Sequence, residues 1–148
     1  MATLRVRFLL GLVAVATATI LVVDDDARIA RTLAEFLTAD GHAVETAHDG
    51  LTALTKLDRR RFDIVIADVR MPRLDGPGLY RELARRVPAF QRRIIFMTGE
   101  VPTSETQRLL DGLGAPVLHK PFDLADLARA MHAVLTGGER SADPGTPP

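Results

Sequence analysis

The sequence predicts an α/β fold: a doubly wound, five-stranded parallel sheet with five helices packed on its two faces. Three observations carry that prediction. Short, near-continuous apolar runs recur along the chain, as expected for strands buried on both faces. Between them lie segments whose apolar residues repeat at helical spacing. Each strand–helix pair takes roughly 20–25 residues, the length of a strand plus its crossover helix in a parallel sheet.

The elements follow in order. Ile20-Leu21-Val22-Val23 is the first strand. Asp26 can cap a helix that carries Ile29, Leu33, Phe36 and Leu37 on one face, and Asp40-Gly41 stops it. Ala43 to Ala47 is a weaker second strand. Asp49-Gly50 turns into a helix with Leu51, Leu54 and Leu57. Ile64-Val65-Ile66-Ala67 is the third strand, and Leu79 and Leu83 mark a helix that ends before Pro88. Ile94-Ile95-Phe96-Met97 is the fourth strand, followed by a helix from Thr103 to Leu113 closed by Gly114. Pro116-Val117-Leu118 is a short fifth strand. Asp123 caps a last helix with Leu124, Leu127, Met131, Val134 and Leu135. Right-handed crossovers leave few topologies for five such units, and the flavodoxin-like order 2-1-3-4-5 is the natural one. No internal repeat is present, so the chain is not a solenoid.

Residues 19–136 form the expected domain, and the two ends differ from it. Arg5 and Arg7 precede an uncharged run from Phe8 to Val23, and Ala16-Thr17-Ala18 resembles a small-residue cleavage site. Residues 1–18 therefore read three ways: a non-native or over-long start, a short apolar helix lying on the domain or a partner, or an export signal. Residues 137–148 hold no apolar side chain larger than alanine and are expected to be a disordered tail.

Composition removes several function classes. The 148 residues hold 19 Lys+Arg and 19 Asp+Glu, so the net charge is zero, against a nucleic-acid binder that works through bulk positive charge. Hydrophobic content of 47% with 26% charged residues is that of a globular domain. With no cysteine, thiolate metal sites, thiol nucleophiles and disulfides are excluded. Neither a G-x-G-x-x-G motif nor a phosphate-binding loop is present, against a dinucleotide enzyme or an NTPase. His42, His48, His119 and His132 are not at metal spacing, and Arg59-Arg60-Arg61 reads as a solvated helix end. Only two basic residues are lysines, Lys56 and Lys120.

The functional signal is positional. The first strand ends at Asp24-Asp25, the third at Asp68, the fourth at Thr98 and the fifth at His119-Lys120. In a doubly wound sheet the carboxyl ends of the strands line the ligand crevice, so three carboxylates, a hydroxyl and an ammonium converge there. Two carboxylates about 4 Å apart repel by about 4 kcal/mol at an effective dielectric of 20, so such a cluster needs a proton or a cation. Hard oxygen ligands without Cys or His favour Mg²⁺, which keeps positions open for water and phosphate oxygens. Lys120 and Thr98 can then contact an incoming phosphate. The set reads as phosphoryl transfer to a carboxylate.

At these residues the chain resembles the receiver domain of two-component response regulators, from about Thr19 to Leu135. The resemblance rests on Ile20-Leu21-Val22-Val23-Asp24-Asp25-Asp26, on Asp68-Val69-Arg70-Met71-Pro72-Arg73-Leu74-Asp75-Gly76, on Met97-Thr98-Gly99 and on Lys120-Pro121-Phe122. It implies that Asp68 is the phosphoacceptor and that Asp25 is the direct acidic Mg²⁺ ligand, with Asp24 acting mainly through metal-bound water. It also implies that the Arg70 backbone carbonyl is a further ligand, that Thr98 is the switch hydroxyl and that Lys120 contacts the phosphoryl group. The implied donor is a phosphohistidine on a histidine kinase or a histidine phosphotransfer protein, in the cytoplasm, with neither membrane nor nucleic acid as partner. The only implied chemistry is self-phosphorylation and self-dephosphorylation at Asp68, so the chain is not expected to be an enzyme otherwise. Pro72, Asp75 and Gly76 more simply shape the loop after the third strand. In the family a cis bond usually precedes the proline corresponding to Pro121.

Two departures stand out. Val117 replaces the aromatic residue often found three positions before the lysine, and Gly99 replaces the more usual alanine. With a short polar tail, output is expected through protein contact. Alternatively the chain is a receiver related to those on hybrid sensor kinases, which Ala115 to Phe122 resembles more closely. Two other functions compete. A phosphorylation-independent interaction module on the same fold would not need Asp25, Asp68, Thr98 and Lys120 together. An aspartyl-phosphate hydrolase would need a carboxylate where Arg70 stands.

Overall fold

Strands apolar on both sides are satisfied only inside a layered fold, and the computed structural model, which describes residues 5–9 and 13–136, places them there. Its elements are β1 (Arg5–Leu9), β2 (Val13–Thr17), β3 (Thr19–Val23), α1 (Ala27–Ala39), β4 (Ala43–Ala47), α2 (Gly50–Arg59) and β5 (Ile64–Asp68). There follow α3 (Gly76–Arg86), a 3₁₀ turn (Pro88–Arg92), β6 (Ile94–Thr98), α4 (Ser104–Leu113), β7 (Val117–His119) and α5 (Leu124–Leu135). The main sheet is parallel throughout, in the order β4-β3-β5-β6-β7, which is the expected 2-1-3-4-5.

Period-two alternation splits the core into two layers. Ile20, Val22, Ile64, Ile66, Ile95 and Met97 pack under α1 and α5, against Leu33, Leu37, Leu127 and Met131. Leu21, Val23, Val65, Ala67, Ile94 and Phe96 pack on the other side, against Leu54, Leu79, Leu83 and Leu110. Each fully buried side chain of this size contributes about 1.5–3 kcal/mol, which makes the central strands the rigid part of the molecule.

Every helix begins at the carboxyl end of the sheet, and each of the five begins with a side-chain cap. Asp26, Asp49, Asp75, Thr103 and Asp123 accept hydrogen bonds from backbone N–H groups of the first turns. Such a cap is worth about 1 kcal/mol, so these positions fix where the loops stop and the helices start. Thr103, expected inside the fourth helix, is its cap. The 3₁₀ turn after Pro88 was not expected; a proline at its start fits, because its missing N–H has no partner to lose there.

The structure corrects the expected core of two helices. Ala30, Leu33 and Leu37 form the buried stripe of α1, while Ile29 and Phe36, on its flank, are 38% and 37% exposed. In α2, Ala53 and Leu54 are buried and Leu51 is exposed. Near the N-terminus, the described residues form an antiparallel pair, β1 with β2, as a separate two-stranded sheet, so of the three readings of residues 1–18 the short helix is the one corrected. Val13 and Val15 alternate with small residues at period two, which suits a strand better than a helix. The expected disordered tail, residues 137–148, lies outside the described residues.

His42 has a structural role. It is buried, and its Nδ1 accepts a hydrogen bond from the Ala18 N–H at 3.0 Å, tying the start of β3 to the end of α1. Burial holds its imidazole below the ordinary value of 6.5, with Asp40 partly opposing. The unfolded chain therefore takes up this proton first as pH falls. The stability His42 contributes is complete above about pH 6.5 and is lost as pH drops through its lowered folded-state value. Urea unfolding should show a lower midpoint at about pH 5.5 than at about pH 7.5, and His42→Gln should shrink that difference. An undiminished difference in the variant would refute the assignment.

Candidate functional site

Because all strands of the main sheet run the same way, the residues at their carboxyl ends gather in one crevice. Asp24 follows β3, Asp68 closes β5, Thr98 closes β6, and Lys120 follows β7, held there by its backbone N–H bond to the Thr98 carbonyl at 2.8 Å. The peptide between Lys120 and Pro121 is cis, as the family pattern implied. The Lys120 ammonium crosses the crevice and donates to Asp24 Oδ2 at 2.8 Å and to Asp68 Oδ2 at 3.1 Å.

The three aspartates differ in environment. The Asp24 side chain is 1% exposed, with both oxygens engaged: Oδ2 by Lys120 and Oδ1 by the Asp26 N–H at 2.9 Å. Asp68 is 13% exposed and faces the mouth of the crevice, and Asp25 is exposed. Oxygens of all three can lie within 4.8 Å of one another. Burial pushes the Asp68 carboxyl up, Lys120 pulls it back by hydrogen bonding, and nearby Asp24 pushes it up again, so the net direction is upward. Burial opposes the charge on Lys120, but its bonds to Asp24 and Asp68 outweigh burial and raise its pKa. Three formal negative charges face one ammonium. A divalent cation with hard-oxygen preference is the group that fits such a donor set.

Loops complete the rim. A Cβ on Gly76 would stand 2.6 Å from the Asp68 carbonyl oxygen, and one on Gly50 would stand 2.4 Å from that of Leu74. Only glycine allows those approaches, which press the loop after β5 against β5 and the start of α2. Arg73 in this loop has φ of 70° and sits 3.8 Å from Asp49, the α2 cap. Arg70, two residues beyond Asp68, pairs at 2.7 Å with Glu100, two residues beyond Thr98. Thr98 Oγ1 is turned toward its own loop and donates to the Glu100 carbonyl at 2.9 Å. Asp24, Asp25, Asp68 and Lys120 are thus brought together, and Thr98 stands beside them with its hydroxyl bonded elsewhere.

Two features were not read from sequence. One is His48, whose Nδ1 lies 3.4 Å from the Asp24 carbonyl. The other is an open apolar groove beside Lys120, with a volume of about 690 Å³, walled by Ile29, Phe36, Phe122 and Leu124. The helical period alone assigned Ile29 and Phe36 to the core; a narrower stripe centred on Leu33 separates them from it.

This fold, with an acidic crevice and a lysine at the carboxyl ends of a parallel sheet, defines a receiver domain. Residues 20–132 match the response regulator receiver domain family, and the chain belongs to that family. The response regulator MprA of Mycobacterium avium is 40% identical over 116 residues, covering 78% of this chain and 50% of the relative. The chain thus spans about half the length of the curated relatives it matches. Among solved structures, the Vibrio cholerae chemotaxis protein CheY4 aligns with a TM-score of 0.71 at 33% identity, covering 81% of this chain and 100% of the other. The signal receiver domain of a signal transduction histidine kinase from Syntrophus aciditrophicus aligns with a TM-score of 0.73 at 28% identity, covering 84% and 94%.

The coupling between Lys120 and Asp68 is measurable. Lys120→Met removes the hydrogen bond that lowers the Asp68 carboxyl while leaving burial and Asp24 in place. The Asp68 carboxyl should then titrate at higher pH in a ¹³C NMR titration with EDTA present. An unchanged or lowered midpoint would contradict the geometry.

Proposed function

We propose that this receiver accepts a phosphoryl group on Asp68 from a phosphohistidine, in a Mg²⁺-dependent reaction, and relays the change by protein contact. The observation that carries the reading is the single ammonium shared between buried Asp24 and the more accessible Asp68. It leaves the acidic crevice short of positive charge. Asp25, Asp68 and the Arg70 backbone carbonyl would hold the ion directly, with Asp24 acting through water. A bound Mg²⁺ would supply charge neutralisation and a template for phosphoryl oxygens.

In the transfer, one Asp68 oxygen forms a bond to phosphorus as the phosphorus–nitrogen bond of the donor breaks. The electron pair of that bond stays on the donor imidazole, which takes up a proton. Lys120 is placed to shift its donated bonds onto the phosphoryl oxygens. Thr98 gives up its bond to the Glu100 carbonyl for a phosphoryl oxygen, which makes its hydroxyl and the loop after β6 the moving part. The apolar groove at Ile29, Phe36 and Leu124 shares Lys120 with the site, and it suits the helical surface of a histidine kinase or phosphotransfer protein. The reading puts this exchange in the cytoplasm. Among the described residues no helix is long and apolar enough to cross a membrane.

Incubation with acetyl phosphate and Mg²⁺ should raise the intact mass by one phosphoryl group, and EDTA should prevent it. Labelling that survives in Asp68→Ala would end the assignment. Asp25→Ala should weaken Mg²⁺ affinity more than Asp24→Ala, because both Asp24 oxygens already have partners.

The Arg70–Glu100 pair is assigned a kinetic role in this reading. Both side chains are more than half exposed, so the pair adds only about 0–1 kcal/mol to stability. It spans the path along which water must reach phosphorus in line with the bond to Asp68. Arg70→Ala should shorten the phosphorylated lifetime by roughly 2- to 10-fold, about 0.4–1.4 kcal/mol in barrier. Arg70→Asn should shorten it further by orienting water. Glu100→Ala should matter less in the Arg70→Ala background. Phosphoprotein decay after donor removal measures all three, and identical decay across them would leave only a surface pair.

A further inference from the structure

At the end of the sheet opposite the crevice, arginines collect around a small concavity. Arg59 ends α2, Arg60 and Arg61 follow it, and Arg93 precedes β6. They border a cavity of about 310 Å³ whose apolar wall includes Val87, Ala89 and Phe90. Val87, the residue that closes α3, is 49% exposed. Arg60 is already engaged, bonded to Glu45 at 2.8 Å and stacked 5.8 Å over the Phe62 ring. Arg59, Arg61 and Arg93 have no ion-pair partner among the described residues. Asp58, the acidic residue on the rim, is held by Arg86 at 3.1 Å and does not serve them.

Compensation of a helix dipole accounts for Arg59, in the last turn of α2. It does not account for Arg61 or Arg93, which lie beyond the helix and immediately before a strand. Like charges around a cavity with an apolar wall repel one another unless an anion sits between them. The planar guanidinium pairs best with carboxylates, and the wall offers room for one apolar side chain.

We propose that this concavity is a docking site for an acidic segment of a partner protein, one that seats an aliphatic or aromatic residue between carboxylates. Charge complementarity and the side-chain size of the cavity favour that occupant. A polyanion would need a basic track, whereas this chain has zero net charge and Arg59, Arg61 and Arg93 border one concavity. Strand β5 separates the concavity from Asp68 by its length, roughly 17 Å for five residues. A segment docked here therefore leaves the phosphoacceptor open to its donor, and both can be engaged at once.

The test is selection of a random 12-residue phage-displayed peptide library against the full chain, followed by fluorescence anisotropy with synthetic copies of the enriched peptides. Enriched sequences should combine Asp or Glu with Leu, Ile, Phe or Tyr. Their affinity should fall by about tenfold or more in Arg61→Glu/Arg93→Glu, and also in the milder Arg61→Gln/Arg93→Gln. It should fall when the apolar residue becomes serine, and hold in Arg108→Glu, a charge reversal on α4. Asp68 labelling by acetyl phosphate should be unchanged in both double variants, which keeps this inference separate from the phosphotransfer reading. If no enriched peptide depends on Arg61 and Arg93, the proposal is overturned. It is equally overturned if a 20-nucleotide single-stranded DNA, or phosphatidylglycerol vesicles, bind through those arginines and acidic peptides do not.

Discussion

The Lys120 ammonium is the contact on which the crevice depends. It reaches from the end of β7 across β6 to carboxylates at the ends of β5 and β3, so one side chain joins both halves of the sheet. A carboxylate as buried as Asp24 is tolerated only when it is paired and fully hydrogen-bonded, and Lys120 and the Asp26 N–H meet that condition. The same ammonium leaves Asp68 with an accessible carboxyl that is only partly neutralised. Stability and, in the proposed reaction, reactivity therefore draw on one positive charge.

The scaffold around that charge is stiff where it must be. Strand backbones locked between two apolar layers hold the aspartates, and aspartate and threonine caps hold the loops between them. Gly50 and Gly76 let the loop after β5 pack directly against β5 and the start of α2, close to Asp68 and the α2 cap. Thr98 differs, because its hydroxyl bonds a carbonyl of its own loop and can exchange that bond without breaking a layer of the core.

Much of this was legible in the chain. Runs such as Ile64 to Ala67 can be little other than central parallel strands, and strand ends occupied by Asp, Thr and Lys locate a crevice because parallel topology fixes which ends meet. What periodicity could not resolve was rotation about a helix axis. Ile29 and Phe36 fall within the apolar arc of α1, yet the sheet covers only the part centred on Leu33. Nor could composition show that Asp24 spends both its oxygens locally, which depends on where the chain turns after β3. At the start of the chain the limit is related: apolar content alone does not choose between helix and strand, and the alternation at Val13 and Val15 suits strand.

An all-parallel sheet has unlike ends. Here the aspartate caps and the acidic crevice occupy one end, while Arg59, Arg60, Arg61 and Arg93 occupy the other. The charges cancel in the sum and not in their placement. A distant charged surface exerts little net pull on a molecule of zero net charge, so recognition at either end is decided at short range. Raising the ionic strength screens the approach of a charged partner to either end while leaving the contacts within each end in place.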